Sequence, residues 1–223
     1  MKLSLYQPLV MGFAAVMSVC LATHLWRAGS WNWNYFGTLL FLCINIFVCY
    51  LEALLLIRGK QIQDDYRLLS DSKGHELGCI GTQFVKEISF GEFFLPQNWT
   101  RLWAAYSTID GSYIEPTSFG YWADSGNGLS TIVPSVLLLI NVTFPPFLSA
   151  RLMGVIALAS SWQMLYGCII YLLAYFVRRR YTGPSHAVHS FVVTLNGIWI
   201  VFPAWIIRCC WMMIQSNSYG VFM

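Results

Sequence analysis

Residues 35–57 read YFGTLLFLCINIFVCYLEALLLI, 23 residues with no basic residue and a single acidic one, Glu52. As an α-helix this stretch would be about 35 Å long. A bilayer core of roughly 30 Å needs about 20 apolar residues in a helix. Four further runs have the same character, at 9–26, 129–148, 152–177 and 191–214. The third ends in Pro145-Pro146. The first carries only Lys2 ahead of it, too little charge for a secretory leader, and it reads as a true span. The expected fold is therefore all-α: a polytopic, five-helix transmembrane bundle in a single domain, 1–223. A long insertion at 58–128 separates helices two and three.

Bulk composition agrees. Of 223 residues, 57% are hydrophobic and only 10% are charged, against about 25% charged in soluble domains. Mean hydropathy is +0.57. The net charge of +3 and the lack of a dense basic patch outside Arg178-Arg179-Arg180 argue against nucleic acid as a partner. That triplet follows an apolar run and reads as a juxtamembrane anchor. Six of the seven Cys lie in apolar runs and none forms a C-x-x-C pair, so neither a disulfide framework nor a zinc site is expected.

Five spans place residues ahead of the first one, the 58–128 connection and the 178–190 connection on one side. Lys2, Arg58, Lys60, Arg67, Lys73, Lys86, Arg101 and the Arg triplet fall there, against Arg27, Arg151 and Arg208 elsewhere. The positive-inside rule assigns that side to the cytoplasm or its equivalent. Asn98-Trp99-Thr100 matches a glycosylation sequon but would face the wrong compartment. Within the insertion, 61–77 is polar and expected to be a solvated helix. Residues 80–122 mix aromatics with isolated charges. They would lie at the interface or fold back onto the bundle.

Ionisable groups inside a span are functional candidates by default. Glu52 is the outstanding one, on one helical face with Asn45 and Cys49. It is a candidate proton-transfer group or a structural carboxyl near Arg58. Asp124, in Asp124-Ser125-Gly126-Asn127-Gly128, is expected either to cap span three or to be a second carboxyl at a pocket mouth. Span four offers Gln163, Tyr166 and Tyr171, and span five offers Asn196 and Trp199 on one face. These residues suit helix packing or a mostly apolar pocket with a few polar handles. His186 and His189 lie three apart but have no carboxylate nearby in sequence. No metal ligand set and no cofactor is expected.

The stretch Leu102-Trp103-Ala104-Ala105-Tyr106-Ser107-Thr108-Ile109-Asp110-Gly111-Ser112-Tyr113 resembles the Leu-Trp-x-x-Tyr-x-x-x-Asp-x-x-Tyr run of emopamil-binding (EXPERA) proteins. Gln163, Tyr166, Gly167 and Tyr171 are similar to that family's Gln-Ile-Tyr-Gly-x-x-x-Tyr helix. Asn196, Trp199 and Pro203 are similar to its Asn-x-x-Trp helix, and Tyr50-Leu51-Glu52 to its carboxylate-bearing one. The match runs from Tyr35 to Ile214. The resemblance implies a five-helix bundle with an internal cavity for a sterol, residence in the endoplasmic reticulum and, in the isomerases, an acid–base pair around an aromatic-lined site. Glu52 would be one carboxyl, with Asn196 and Trp199 in the lining. This chain departs from the isomerases. Val48 replaces a His, Ser125 stands where their second carboxyl aligns, Cys168 replaces an Asp, and the 58–95 stretch is longer.

Three functions remain open. The first is sterol or apolar-lipid binding in an intramembrane cavity, with Asn45, Gln163, Tyr166, Tyr171, Asn196 and Trp199 as ligand contacts. The second is double-bond isomerisation by a rearranged pair, Glu52 and Asp124. The third is a structural subunit, partnered within a larger respiratory or photosynthetic complex of a thylakoid or inner membrane. An open pocket favours the first two, and both carboxyls facing one void favours the second.

Overall fold

The computed structural model describes residues 2–73, 77–177 and 186–223, without the side chains of 71–73. The Arg178-Arg179-Arg180 anchor and His75 lie outside these. Among the described residues, five helices are long and apolar enough to cross a membrane: α1 (Tyr6–Ala28), α2 (Trp33–Lys73), α5 (Phe119–Thr143), α6 (Ala150–Val177) and α7 (His186–Ser216). Between α2 and α5 run α3 (Leu77–Phe84) and α4 (Pro96–Ser107). Two short strands, β1 (Lys2–Ser4) and β2 (Glu87–Ser89), pair antiparallel. The chain is a multi-pass integral membrane protein.

Local chemistry sets the element ends. Gly29 closes α1 in the left-handed conformation (φ 69°) and returns its N–H to the Leu25 carbonyl. The Asn32 side chain then accepts the Tyr35 N–H and opens α2. The second helix bends at Arg58, whose backbone leaves the helical region (φ −125°, ψ 20°). This is where the apolar run ends, so the polar continuation tips away as a separate rod. One turn earlier, the Leu55 carbonyl accepts the Tyr121 hydroxyl at 3.0 Å.

The third span begins ten residues earlier than hydropathy places it, at Phe119 rather than 129. Ser118 is its cap, accepting the Tyr121 N–H at 3.2 Å. The run Asp124–Gly128 is therefore inside the helix, and Asp124 caps nothing. Its polarity marks a face turned into the bundle, not a loop. The helix stops at Thr143, and Asn141 closes the turn before α6 by accepting the Phe147 and Leu148 N–H groups, each at 3.0 Å.

The insertion folds back. Trp99 and Leu102 are buried in the packed cluster on that side of the bundle, with Ile62 from the outer part of α2. Asn98 of the sequon is 9% exposed, and its side chain is bound to Lys86 and to the Glu92 carbonyl. β1 joins this assembly through β2, which puts residues 2–4 and the insertion on the same side, as the charge pattern predicts. A second apolar cluster, around Phe41, Leu138, Met153 and Cys209, fills the opposite half. All seven Cys are buried and free.

Two glycines set the closest helix approaches. A Cβ on Gly128 would sit 2.6 Å from the Glu52 Cβ and 2.8 Å from both the Ala53 nitrogen and the Cys49 carbonyl. A Cβ on Gly154 would sit 3.1 Å from the Cys210 carbonyl on α7. Small residues that let backbones touch are the usual means of holding membrane helices together. Gly128→Ala is expected to lower stability by about 1–3 kcal/mol through overpacking. Gly126→Ala, with nothing within 4 Å of its Cβ, should hold or raise stability, by up to about 1 kcal/mol through helix propensity. Thermal unfolding in detergent followed by Trp fluorescence compares them, and equal midpoints would remove Gly128 as the determinant of the α2–α5 contact.

Candidate functional site

A cavity of about 350 Å³ lies inside the bundle where the two apolar clusters meet. That volume falls in the range of small-molecule sites. Helices α2 to α7 all contribute to its wall, and α1 contributes nothing. The lining is mostly apolar. Its carboxyls are Glu52 and Asp124, and Glu52 lies within reach of the Asp124 charge.

Both carboxyls owe their positions to the Gly128 contact. Glu52 sits where α2 touches α5, and Asp124 stands one turn before Gly128 on α5. Neither forms an ion pair among the described residues, where the one pair found is Arg67–Asp64, 3.5 Å apart on the surface. The Tyr113 hydroxyl is turned towards the Asp124 carboxyl. No hydrogen bond to the Glu52 carboxyl is present among the described residues. An uncompensated buried charge is costly.

An aromatic wall faces them. Trp103 and Tyr113 are 5.1 Å apart between ring centres, and Tyr106 packs against both at 5.7 and 5.3 Å. The Trp103 ring N–H is anchored on the Leu51 carbonyl at 2.6 Å. Tyr171 donates its hydroxyl to Asp110 at 2.6 Å, and Asp110 also accepts the Ser112 N–H at 2.9 Å. The Leu-Trp-x-x-Tyr-x-x-x-Asp-x-x-Tyr run thus builds one side of the cavity: Trp103, Tyr106 and Tyr113 face it, and Asp110 orients Tyr171 from behind. Trp103, Tyr106, Asp110 and Tyr113 were not selected as site residues from the sequence. Their spacing was the available signal.

The expected ligand residues divide. Tyr171, Asn196 and Trp199 line the cavity. Asn45 does not. It is buried, accepts the Trp199 ring N–H at 2.9 Å and donates to Ser135 at 3.0 Å, so it fixes the Trp199 face from behind. Gln163 is also outside, donating to Asn127 and Ser130 at 2.9 and 2.6 Å and steadying Asn127 at the wall. Tyr166 is 53% exposed and stacks on Trp162, facing away from the bundle interior. A helix puts residues 163 and 166 on one face, whereas Met164, Cys168 and Tyr171 form the face that meets the cavity. Val48 and Cys168, two of the departures from the isomerase pattern, both line it. His189 meets the Tyr175 hydroxyl at 2.7 Å. No cluster of three His, Cys, Asp or Glu suited to a metal is found among the described residues.

The fold and site define a polytopic membrane protein with a carboxyl-bearing, aromatic-walled interior cavity. Comparison with protein-family models, curated proteins and solved structures returns no match.

Burial drives the phenols of Tyr106 and Tyr113 up from their ordinary value of about 10, with the Asp110 and Asp124 charges adding to it. The folded chain then holds two protons that the unfolded chain releases. Their contribution to stability is complete below about pH 10 and is lost as pH climbs from there towards the folded values. A thermal midpoint falling above about pH 10, and a shallower fall in Tyr106→Phe, is the expected outcome. Identical pH profiles for the two proteins would contradict it.

Proposed function

We propose that this chain admits a sterol, or a similarly rigid apolar lipid with a carbon–carbon double bond, into the cavity and shifts that bond with Glu52 and Asp124. The observation that carries the reading is the presence of both carboxyls on one apolar void, beside aromatic faces and without a cation. A cavity left open by the side chains supports a ligand over a purely structural role. The likeness of the Trp103–Tyr113 run to emopamil-binding proteins supports the same ligand class.

Glu52 carries the proton to be given, because no donor addresses it. Asp124, addressed by the Tyr113 hydroxyl, starts as the carboxylate. Protonation of one alkene carbon by Glu52 leaves a cation on the other. Trp199, Tyr106 and Tyr113 offer π-faces that favour such a charge. Asp124 then removes a proton from the adjacent carbon and the double bond re-forms one position along. The proton returns from Asp124 to Glu52, and the lipid leaves as an isomer of unchanged composition.

The test is purified protein in mild detergent with a ring-unsaturated sterol in D₂O, read by NMR and mass spectrometry. Bond migration with deuterium uptake is expected. Glu52→Gln should reduce the rate by about 10²–10⁴-fold while sterol remains bound, and Trp199→Ala should lose the sterol. Retention of sterol without migration in the wild type would reduce the proposal to binding alone. Bulk lipid only, equal in all three proteins, would remove the cavity ligand altogether.

A further inference from the structure

A second cleft lies outside the bundle interior and shares no residue with the cavity above. It is about 320 Å³ in volume and is formed by Asp65, Leu68 and Leu69 of α2, Gln83 of α3, Lys86 before β2 and Arg101 of α4. The insertion makes it by folding α3 and α4 against the outer part of α2. Its composition is unusual for a surface groove: two cations, one carboxylate, an amide and two leucines.

The charges in this cleft are close but not joined. Asp65 feels both Arg101 and Lys86, yet neither cation is within ion-pair distance of it among the described residues. Its Oδ2 is buried with no hydrogen-bond partner. A buried carboxylate oxygen without a donor is costly, and rotation about the soft terminal torsion of Asp would turn it to the cleft. Lys86 is held in place by Asn98 at 3.2 Å, while Arg101 is exposed. A ligand that satisfies all three groups needs an anionic part for Lys86 and Arg101 and an N–H donor for Asp65.

Depth in the membrane selects the ligand further. The apolar run of α2 ends at Arg58, and because the helix bends there Asp65 stands less than about 10 Å further out along the membrane normal. Headgroup layers add about 5–8 Å to each face of the hydrocarbon core. Leu68 is 73% exposed at the cleft wall. An exposed leucine beside charged groups fits the headgroup layer. We infer that this cleft binds the headgroup of an aminophospholipid, with the phosphate on Lys86 and Arg101 and the ammonium on Asp65. Leu68 and Leu69 would meet the methylenes of the ethanolamine arm. A choline headgroup has no N–H to give Asp65, so phosphatidylethanolamine is favoured over phosphatidylcholine.

The experiment reconstitutes the full chain in nanodiscs holding equal phosphatidylethanolamine, phosphatidylcholine and phosphatidic acid, and reads retained lipid by native mass spectrometry. Phosphatidylethanolamine should be retained about tenfold over phosphatidylcholine. Asp65→Asn should lose that preference and keep phosphatidic acid. Arg101→Gln, at an exposed position where folding is not at risk, should lower retention of both. Equal retention of the ethanolamine and choline lipids overturns the inference, as does retention unaffected by Arg101→Gln. Displacement of the lipid by millimolar inorganic phosphate would mark a small-anion site and overturn it too.

Discussion

The missing side chain at position 128 lets α5 rest on the backbone of α2 between Cys49 and Ala53. Everything around the cavity is arranged from that contact. It brings Glu52 and Asp124 to the same space. It also sets the register in which Cys49 meets Thr131 and Asn45 meets Ser135, at 3.2 and 3.0 Å. Through Asn45 the register passes to α7, since the Trp199 ring can be held only where that amide is. Backbone contact, polar stitch and aromatic face are one chain of cause.

The insertion completes what the spans begin. Helices α2, α5 and α7 supply the carboxyls, Asn196 and Trp199, but one wall would stand open without α3 and α4. Trp103 closes it by binding a carbonyl of α2, and Tyr113 closes it further by meeting Asp124. Charged groups of the same insertion remain at the membrane face, where they shape the second cleft. One segment therefore presents aromatic side chains inward and ionic ones outward, and the break in α2 at Arg58 gives it the room to do so.

Much of this was legible from residues alone. Five apolar runs announce five spans because lipid tolerates no other long helix composition, and the excess of Lys and Arg on one side agrees with the pairing of β1 to β2. Glu52 was legible because a lone acid within an apolar run stands out. The start of α5 was not, because hydropathy reads Asp124–Gly128 as a loop. Inside a bundle the same polar residues are a buried face, and only a partner helix reveals that. Gln163 and Tyr166 sit on the correct helix but on another side of it, since likeness of a motif does not fix rotation about the axis. Asn45 acts one layer behind its expected place. The aromatic wall needed knowledge of how α4 folds back, a long-range packing event that local pattern does not encode.

The first helix stands apart from all this. It lines no cavity and keeps most of its surface outward, with Cys20 and His24 among its few buried positions. His24 stacks on Tyr35 at 3.8 Å, and Tyr35 binds the Cys20 carbonyl, so α1 and α2 can associate as soon as both exist. Its other attachments come from far along the chain: Arg27 to the Thr143 carbonyl, and β1 to residues 87–89. During synthesis at a translocon, α1 must therefore enter the lipid long before those partners emerge. Its uniformly apolar flanks let it wait there as part of a helical hairpin. Pairing of β1 with β2 can follow as soon as residues 87–89 emerge, so the chain ahead of α1 is tied to the insertion before α5, α6 and α7 arrive to complete the cavity wall.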